Sequence, residues 1–591
     1  MDKKTIHTLK RFTLFESLDN TLLSEIFGKL EEVTIEANHI LFRQGETSDY
    51  LYLLVEGRLE ASLVTINHEK KIIGNINPGE TVGEMGAMLD RPRTLTIKAL
   101  KDSALLKLSA DEFKNIIFRF PSVMIGSLHS LIERSTSLID HISENKKQKH
   151  IAILCANKDT NIDMFCNKLR TIMHDAQDTI VISDKDYYNN ITIDSLNQKH
   201  IVYCLQSLDE PLAEKCIPDV DVFYLISNSE IRPSIDKKIS TKINTFTFKK
   251  RNEIRLILLQ SDSKNKTSTH TEKWLAQMDF VMHHFVRINY EKDYLRLIRF
   301  MLGKPVGLVL GGGGARGWVH IGTIKAMQEL NIPIDIIGGT SVGSLVAAYY
   351  AEHENYEELV LKFKAMTEAA FSTFKIKNLL WPKVGLYNRN TYISVLKKHF
   401  NEKRIEDLVL PVFCISSNLA NCSEETHKTG LIWEKICAST AIPGMLPAIC
   451  INGQLHYDGG LLNNLPTDVM RNIIGNDGTI IAVDLGSYKI DKTFYKIPSV
   501  LYFYQTLLAR FFPRYGAILC PPLIDTFMQS LMMGSTYKIK LNATVANFKI
   551  APSLADYGVY KLPEDKIEKL IDLGYQTAMQ ELKNLAGKVK T

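Results

Sequence analysis

Two glycine-rich motifs, separated by one helical segment, constrain the fold of this chain more than any other feature. Residues 311–317 (GGGGARG) follow the apolar strand candidate 306–310, and residues 339–343 (GTSVG) follow the strand candidate 334–338. A Gly-x-Ser-x-Gly motif forms the turn that lifts a serine hydroxyl off a strand end and onto a helix start. A glycine-rich loop beside it can direct backbone N–H groups at an oxygen that becomes negative during acyl transfer. The pair predicts an α/β sheet that carries Ser341 as a nucleophile.

A third motif, Asp458-Gly459-Gly460, supplies a candidate for the base that a serine nucleophile needs. A serine hydroxyl titrates too high to attack an ester unaided, so a partner has to take its proton. Asp458 ends a short strand candidate and precedes two glycines, which is typical of a strand that enters a tight turn. His456 lies two residues earlier on the same strand face and is the alternative base in a serine–histidine–aspartate arrangement. His320, which follows the glycine-rich loop, is predicted to pack against the sheet.

The glycine-rich loop has one rival interpretation, a cradle for nucleotide phosphates. A P-loop requires a Lys-Ser/Thr pair after its last glycine, and no such pair follows residues 311–317. A dinucleotide-binding pattern can be threaded through Gly312, Gly314 and Gly317. The next strand candidate, however, ends in Gly-Gly-Thr-Ser and not in the acidic residue that binds a ribose. The sequence therefore favours an oxyanion-binding role for this loop.

These motifs together resemble the patatin-like phospholipase family, and within it the neuropathy target esterase-like branch. Residues 438–447 (ASTAIPGMLP) and 458–466 (DGGLLNNLP) add to the similarity, which covers residues 305–490. The resemblance implies a Ser341–Asp458 dyad without histidine. It implies an oxyanion loop that matches the family at Gly312, Gly313, Gly314 and Arg316. It also implies hydrolysis of phospholipids, lysophospholipids or simple carboxyl esters, with no metal and no cofactor required.

The amino-terminal part of the chain has a different character. Residues 12–113 read as short strands separated by glycines at turn positions, which predicts a small barrel or jelly roll. Residues 83–94 (GEMGAMLDRPRT) resemble the phosphate-binding cassette of cyclic-nucleotide-binding domains. In such a site a buried arginine donates hydrogen bonds to the negatively charged phosphate, and a glutamate accepts a hydrogen bond from a ribose hydroxyl. Residues 122–142 are predicted to form the helix that closes over such a site.

The resemblance implies that four residues of this cassette, Gly83, Glu84, Arg93 and Thr94, form the nucleotide-binding site. Glu84, after Gly83, would bind the ribose, and Arg93 would bind the cyclic phosphate. Thr94 occurs in cyclic GMP-type cassettes and in some that bind cyclic AMP, so the choice between cAMP and cGMP stays open. The alternative is a degenerate module that keeps the fold and binds no nucleotide.

The predicted architecture is multidomain: an N-terminal cyclic-nucleotide-binding-like β-roll, an α/β connector and a patatin-like α/β/α hydrolase domain. We predict boundaries at residues 12–142, 151–300 and 305–591, with core motifs in 306–490 and a helical extension at the carboxyl end. The connector alternates apolar strands with helical segments, as α/β layers do. No catalytic constellation is visible in its sequence, so a spacer or regulatory role is predicted.

Composition limits the classes of ligand and the cellular location that the chain is expected to have. A net charge of +5 over 591 residues does not favour nucleic acid as a ligand. Nine scattered cysteines without a Cys-x-x-Cys pair argue against zinc and against a disulfide framework. No secretory signal and no uninterrupted apolar stretch of about 18 residues is visible, which predicts a cytoplasmic protein, with peripheral membrane contact as an option. The oligomeric state, including a homo-oligomer, is left open.

Two apolar and aromatic stretches, residues 497–512 and 526–533, admit two interpretations. One is an interfacial surface near a lipid-binding cleft, and the other is ordinary core or subunit contact. The sequence does not decide between them.

The function predicted from sequence is a serine acyl hydrolase that acts on phospholipid or lysophospholipid and is subject to regulation by a cyclic nucleotide. Two alternatives remain. One is a nucleotide sensor or scaffold with an inactive hydrolase domain. The other is an acyltransferase, which would use the same acyl-enzyme and an alcohol acceptor in place of water.

Overall fold

The computed structural model describes most of the chain. The described residues are 9–120, 149–486, 502 and 523–586, with gaps at 11, 13, 16–17, 19, 65–69, 90–91, 158–159, 161, 174–178, 184–185, 187–199, 251–252, 261–269, 382, 555–556, 559–562 and 564. The chain divides into two compact units, Met1–Lys147 and Gln148–Thr591. The predicted helix at 122–142 lies outside the described residues, and so does the apolar stretch at 497–512 except for Tyr502.

The first unit is an antiparallel β-roll with helices at its ends, as the sequence predicts. Its six-stranded sheet has the order β1-β6-β3-β4, with β2 paired to β6 and β5 paired to β3. The strands are β1 (Glu31–Ile35), β2 (Ile40–Phe42), β3 (Tyr50–Val64), β4 (Lys70–Ile76), β5 (Thr81–Val82) and β6 (Thr96–Ser109). The helices are α1 (Asn20–Phe27), α2 (Glu84–Leu89) and α3 (Ala110–Arg119). Ser109 caps α3, because its hydroxyl accepts from the amide of Glu112.

The second unit begins with the connector, a six-stranded parallel sheet of order β12-β11-β10-β7-β9-β8. Its strands are β7 (Lys149–Cys155), β8 (Thr179–Ser183), β9 (His200–Leu205), β10 (Val222–Asn228), β11 (Glu253–Gln260) and β12 (Met282–Arg287). Its helices are α4 (Asp163–Met173), α5 (Pro211–Cys216), α6 (Lys237–Lys250), α7 (Thr271–Leu275) and α8 (Glu291–Met301). Separate apolar clusters cover the two faces of the sheet, which explains the continuous apolar runs in its central strands.

An eight-stranded sheet organises the rest of the unit, in the order β17-β18-β15-β14-β13-β19-β20 with β16 paired to β15. Its strands are β13 (Val306–Leu310), β14 (Ile336–Thr340), β15 (Val412–Asn418), β16 (Ser423–His427), β17 (Ile449–Ile451), β18 (Gln454–Asp458), β19 (Thr479–Val483) and β20 (Phe548–Ile550). The strands from β15 to β20 in this order run parallel, whereas β16, β17 and β18 are added antiparallel.

Helices cover both faces of this sheet. They are α9 (Trp318–Glu329), α10 (Val342–His353), α11 (Tyr356–Thr373), α12 (Asn390–Phe400), α13 (Ile432–Ser439), α14 (Thr467–Ile474), α15 (Leu523–Val545) and α16 (Asp565–Leu582). None of the helices in the described residues is both long enough and apolar enough to cross a bilayer. Strand β14 extends two residues beyond the predicted strand at 334–338, so it delivers the chain directly to Ser341.

Paired charges join the connector to the sheet that carries the motifs. Arg299 on α8 donates twice to the buried carboxylate of Asp335, at 2.8 and 2.7 Å. Arg296, one turn earlier, donates to Glu354 at 2.5 Å. A buried charge that loses its partner costs several kcal/mol, roughly 3 to 5 by analogy with other proteins. These pairs therefore fix how helix α8 lies against the larger sheet.

Candidate active site

Ser341 occupies a strained turn between β14 and α10. Its backbone angles, φ 54° and ψ −125°, are rare for a residue with a side chain. The glycines on either side of it allow the turn to form. A Cβ added to Gly343 would lie 2.1 Å from the carbonyl oxygen of Leu310, and one added to Gly339 would lie 2.5 Å from the same oxygen. The motif therefore needs both glycines, so that the start of α10 can lie against the end of β13 and the serine can face outward.

Hydrogen bonds hold this turn from three sides. The Ser341 amide donates to the hydroxyl of Ser439 at 3.0 Å, and Ser439 belongs to the predicted block 438–447. The Ser344 hydroxyl donates to the carbonyl of Ser341 at 2.6 Å. The Thr340 hydroxyl donates to the carbonyl of Asn463 at 2.8 Å. These contacts keep the nucleophile in a conformation that the free chain rarely adopts.

Asp458, at the end of β18, is the partner of the serine. The Ser341 hydroxyl donates to Asp458 Oδ2 at 2.7 Å, and the amide of Gly460 donates to Oδ1 at 2.8 Å. Asp458 is 7% exposed. Burial raises the pKa of Asp458 to about 6, and the hydrogen bonds from Ser341 and Gly460 offset only part of that effect. The carboxylate is therefore ionised at neutral pH and is a stronger base than an ordinary aspartate.

The histidines lie elsewhere. The Nδ1 atom of His456 lies 2.9 Å from the hydroxyl of Ser416, which also lies 2.7 Å from Nε2 of His427. His456 therefore contacts neither Ser341 nor the Asp458 carboxylate through a hydrogen bond. The Nε2 atom of His320 donates to the carbonyl of Gly311 at 2.8 Å, and burial lowers the pKa of His320 to about 4. His320 packs inside the domain, as predicted from sequence, and the arrangement at Ser341 is a serine–aspartate pair.

The glycine-rich loop runs beside this pair. A Cβ added to Gly312 would lie 3.2 Å from Ser341 Cβ, so the loop contacts the nucleophile closely. The Gly312 amide, however, donates to the carbonyl of Asn464 at 3.1 Å. Among the described residues, the amides of Gly313 and Gly314 donate to no acceptor. The geometry thus favours these two amides as donors to a developing oxyanion.

Arg316 points away from the pair. Its guanidinium donates to the backbone carbonyls of Tyr557 at 2.9 Å, Gly486 at 3.1 Å and Leu485 at 3.4 Å. The structure does not bring this side chain to Ser341. Its contacts instead tie the glycine-rich loop to the carboxyl-terminal part of the domain.

A cavity of about 180 Å³ opens onto Ser341, Asp458 and the amides of Gly313 and Gly314. Its wall is mostly apolar and comes mainly from α10, α11, α12 and the segment after α13. The apolar wall residues are Ala315, Val342, Leu345, Phe363, Met366, Ala370, Phe371, Phe374, Tyr392, Ile442, Pro443, Leu446 and Leu461. A wall of this kind suits a hydrocarbon chain next to the nucleophile. The described part of the chain holds no group of three or more His, Cys, Asp or Glu side chains placed to bind a metal ion.

The first unit contains the predicted nucleotide cassette. Glu84 is buried at the start of α2, and Thr94 is exposed. Arg93 is buried, and its guanidinium donates to the carbonyls of Gly83 at 3.1 Å and Tyr50 at 2.6 Å while it stacks on the ring of Phe42 at 4.0 Å. The structure brings Gly83, Glu84 and Arg93 into one cluster. The buried Nε of Arg93 has no hydrogen-bond partner among the described residues, and a guanidinium has five N–H donors, so it retains donors for a phosphate.

Comparisons with known proteins agree with both sites. Residues 308–471 match the model of the family described as patatin-like phospholipase, and this range includes Ser341 and Asp458. Residues 32–120 match the model of the cyclic nucleotide-binding domain, which includes Glu84 and Arg93.

The chain carries a patatin-like phospholipase domain and a cyclic nucleotide-binding domain.

Curated relatives share this combined region. Patatin-like phospholipase domain-containing protein 7 of Mus musculus is 26% identical over 533 residues, which is 79% of this chain and 39% of that protein. Lysophospholipase nte1 of Aspergillus fumigatus is 25% identical, over 79% of this chain and 36% of that protein. Neuropathy target esterase sws of Drosophila melanogaster is 26% identical, over 78% of this chain and 36% of that protein. The chain thus spans about two fifths of the length of the curated relatives it matches.

Solved structures match a smaller part of the chain. The N-terminal domain of a transcriptional regulator from Streptomyces coelicolor is 28% identical, with a TM-score of 0.20, and the match covers 22% of this chain and 95% of that domain. The regulatory domain of Toxoplasma gondii PKA, solved with cAMP, is also 28% identical, with a TM-score of 0.19, over 20% of this chain and 46% of that structure.

Arg389 of the patatin-like domain is a site residue that sequence reasoning missed. It precedes α12, lines the cavity of Ser341 and is 4% exposed. Its Nη1 donates to the carbonyl of Cys437 at 2.9 Å, but its buried Nη2 has no hydrogen-bond partner among the described residues. No carboxylate in the described structure forms an ion pair with it, and burial lowers the pKa of Arg389. No sequence signal marks this position, because a single arginine immediately before a helix is ordinary.

Proposed function

We propose that the patatin-like domain is a serine acyl hydrolase that releases fatty acid from phospholipid or lysophospholipid. The observation that carries this proposal is the 2.7 Å hydrogen bond from Ser341 to a buried carboxylate, Asp458, whose pKa is raised to about 6. Two backbone amides without acceptors and an apolar cavity adjoin the same hydroxyl. Together these groups supply a base, an oxyanion site and a place for an acyl chain.

The reaction proceeds in two halves. In the first, Asp458 Oδ2 accepts the Ser341 proton while Oγ bonds to the acyl carbon, and the amides of Gly313 and Gly314 stabilise the carbonyl oxygen as it becomes negative. The proton then passes from Asp458 to the leaving alkoxide as the ester C–O bond breaks, which leaves an acyl-serine and a free alcohol. Each oxyanion donor contributes about 3 kcal/mol to transition-state stability, as in other hydrolases.

In the second half, water replaces the alcohol. Asp458 accepts a proton from water while the water oxygen bonds to the acyl carbon. The amides of Gly313 and Gly314 stabilise the second tetrahedral intermediate. Collapse of this intermediate breaks the bond to Ser341 Oγ, which recovers the proton from Asp458, and fatty acid leaves. One carboxylate therefore acts as base and then as acid in each half, so no histidine is required.

Arg389 supports a substrate with an anionic group. A buried guanidinium without a carboxylate partner is costly unless a ligand supplies negative charge. The phosphodiester of a phospholipid or lysophospholipid has that charge and accepts two parallel hydrogen bonds from arginine. A neutral glyceride has no such group. We therefore place the phosphate of the substrate toward Arg389 and the acyl chain along the apolar wall of the cavity.

The cyclic nucleotide-binding domain is proposed to be a regulatory site. Arg93 would donate hydrogen bonds to the cyclic phosphate, and Glu84 would accept from the ribose 2′-hydroxyl. Whether cAMP or cGMP is preferred depends on the role of Thr94. A cytoplasmic location stays a prediction, with peripheral membrane contact as an option, and the oligomeric state stays open.

The test is fatty-acid release from lysophosphatidylcholine by the full chain, with and without cAMP or cGMP, beside Ser341→Ala. Release that requires Ser341 supports the hydrolase, and a change with one nucleotide supports regulation. Adding glycerol as an acyl acceptor distinguishes a hydrolase from an acyltransferase, because only an acyltransferase would form acylglycerol in preference to fatty acid. No release from any phospholipid, lysophospholipid or simple ester would favour the inactive scaffold.

A further inference from the structure

The loop between α11 and α12 exposes five large hydrophobic side chains to solvent. Residues 375–381 and 383–386, named here the apolar loop, contain the two most exposed large hydrophobic side chains of the described structure, Trp381 at 87% and Ile376 at 85%. Leu379, Val384 and Leu386 of the same loop are exposed as well. Single exposed hydrophobics are ordinary, but a contiguous group of five marks a surface that meets an apolar partner.

This exposure does not result from a lack of local structure. Leu379 pairs with Tyr387 in an antiparallel bridge, and the Leu380 amide donates to the carbonyl of Leu386 at 2.8 Å. The Asn388 amide donates to the carbonyl of Asn378 at 2.9 Å. The loop is therefore a short hairpin that holds its apolar side chains outward.

The apolar loop is attached to the wall of the cavity that contains Ser341. The Leu386 amide donates to the carbonyl of Gly444, and the Tyr387 amide donates to that of Met445, both at 2.9 Å. Gly444 and Met445 lie between Pro443 and Leu446, which line the cavity. Phe374, immediately before the loop, lines it as well. An apolar partner that contacts the loop therefore lies next to the segments that form the cavity wall.

The charge around the loop identifies the partner. Between Glu368 and Glu402 the sequence contains six Lys or Arg residues and no Asp or Glu. Three of these, Lys375, Lys377 and Lys383, lie exposed within the loop, and none has an acidic partner among the described residues. Lysines interleaved with an exposed tryptophan and aliphatic side chains are the composition of a surface that enters an anionic lipid interface.

We propose that the apolar loop docks the enzyme on an anionic membrane surface, with Trp381 and its apolar neighbours in the interfacial layer and the lysines against lipid phosphates. The proposal rests on the proposed function, because it supplies the route by which a membrane lipid reaches Ser341. It assigns membrane contact to a surface other than the two apolar stretches that the sequence left open between lipid contact and core. Of those stretches, 526–533 lies within α15, and 497–512 is outside the described residues except for Tyr502, which is exposed.

Tryptophan fluorescence tests the proposal directly. The chain has four tryptophans, and Trp274 and Trp318 are 0% and 1% exposed, while Trp433 is half-buried beneath Lys397. A change in emission on membrane binding will therefore come mainly from Trp381. The full chain carrying Ser341→Ala is mixed with phosphatidylcholine vesicles, with or without phosphatidylglycerol, so that no lipid is hydrolysed. We expect a blue shift and co-sedimentation with the anionic vesicles, both weakened by salt.

Matched variants locate the contact. Trp381→Ala and Val384→Asp should each lower the vesicle partition coefficient about tenfold, which is a change of 1.4 kcal/mol. Replacing the three loop lysines by Gln should remove the preference for anionic vesicles. Met164→Asp, at a 58% exposed position on α4, is the control and should bind as the parent protein does. Far-ultraviolet circular dichroism shows whether each variant is folded.

Three results with vesicles would overturn the proposal. One is unchanged emission and partition in the parent protein. Another is loss of binding in Met164→Asp to the same extent as in the loop variants. The third is no loss of binding in either loop variant. If the blue shift instead depends on protein concentration without vesicles, the surface binds a second copy and the membrane role is wrong. Because binding is measured without turnover, vesicle binding by a protein that hydrolyses no ester would refute the proposed function and leave the docking surface standing.

Discussion

Ser341 and Asp458, 117 positions apart in the chain, are joined by a 2.7 Å hydrogen bond because a single strand lies between their strands. Strand β15 pairs in parallel with β14, with Ile415 opposite Thr340, and antiparallel with β18, with Ser416 opposite Asp458. Consecutive residues of β15 therefore set the positions of both side chains of the proposed catalytic pair. A slip of one residue in either ladder would turn the carboxylate to the other face of the sheet.

The pH dependence of turnover should report Asp458. The base acts in its ionised form, so kcat/KM should rise with pH through an apparent pKa near 6, since burial raises the pKa of this carboxyl to about 6. Initial rates on a soluble short-chain ester between pH 4.5 and 8.5 measure this. A midpoint near 4, typical of an exposed aspartate, would show that another group is titrating.

Asp458→Asn should inactivate the domain and stabilise it. The folded-state pKa, about 6, lies above the ordinary value of 3.8, so the buried carboxylate disfavours folding increasingly as pH rises from 3.8 to about 6, and this cost is constant at higher pH. The asparagine variant lacks this cost. Its gain in unfolding free energy over wild type should grow by roughly 1 kcal/mol between pH 5 and pH 8, at 1.36 kcal/mol per pKa unit. Paired denaturant titrations at both pH values measure the difference, and a gain that is equal at both would contradict the burial argument.

Arg389→Met should impair phosphate-bearing substrates selectively. We expect kcat/KM for lysophosphatidylcholine to fall at least tenfold, because the guanidinium is the cavity group that offers a charge to the phosphate, while a neutral short-chain ester is affected far less. Arg389→Lys should restore little, because lysine lacks the paired donors. Equal losses on both substrates would instead make Arg389 a structural support that acts through the carbonyl of Cys437.

Arg93→Gln should abolish nucleotide binding without touching catalysis. In wild type, cAMP or cGMP should raise the melting temperature of the first unit, since a ligand that binds only the folded state stabilises it. The variant should show no shift with either, and its basal turnover should equal that of wild type. Thr94→Ala distinguishes binding of cGMP from binding of cAMP, because only the melting-temperature shift with cGMP should depend on the Thr94 hydroxyl. A nucleotide-independent melting temperature in wild type would mean that the domain is degenerate.

Local motifs are what the sequence alone made predictable. Gly339, Gly343 and the hydroxyl between them are readable because a strained turn against a neighbouring strand admits only glycine and exposes only the central residue. The alternating strands of the connector were predicted for a similar reason, since parallel strands buried on both faces form apolar runs.

Features that depend on tertiary packing could not be predicted. The Gly312 amide belongs to the predicted oxyanion loop, but the loop after β18 brings the Asn464 carbonyl to it. Arg316 matches a family position, yet its direction is set by carbonyls near residues 486 and 557. The roles proposed for Arg389 and the apolar loop depend on their surroundings in the folded protein. The buried Nη2 of Arg389 has no partner among the described residues, and Trp381 is exposed, and neither property can be read from the sequence.

The central claim is that Asp458 activates Ser341 without a histidine. The rate at which a fluorophosphonate labels the protein, with the adduct located by mass spectrometry, tests it most directly. We predict one adduct on Ser341 in wild type and in the exposed-serine control Ser394→Ala, labelling at least 100-fold slower in Asp458→Asn, and an unchanged rate in a folded His456→Asn variant. Labelling of another residue, or wild-type labelling of Ser341 in Asp458→Asn, would contradict the account.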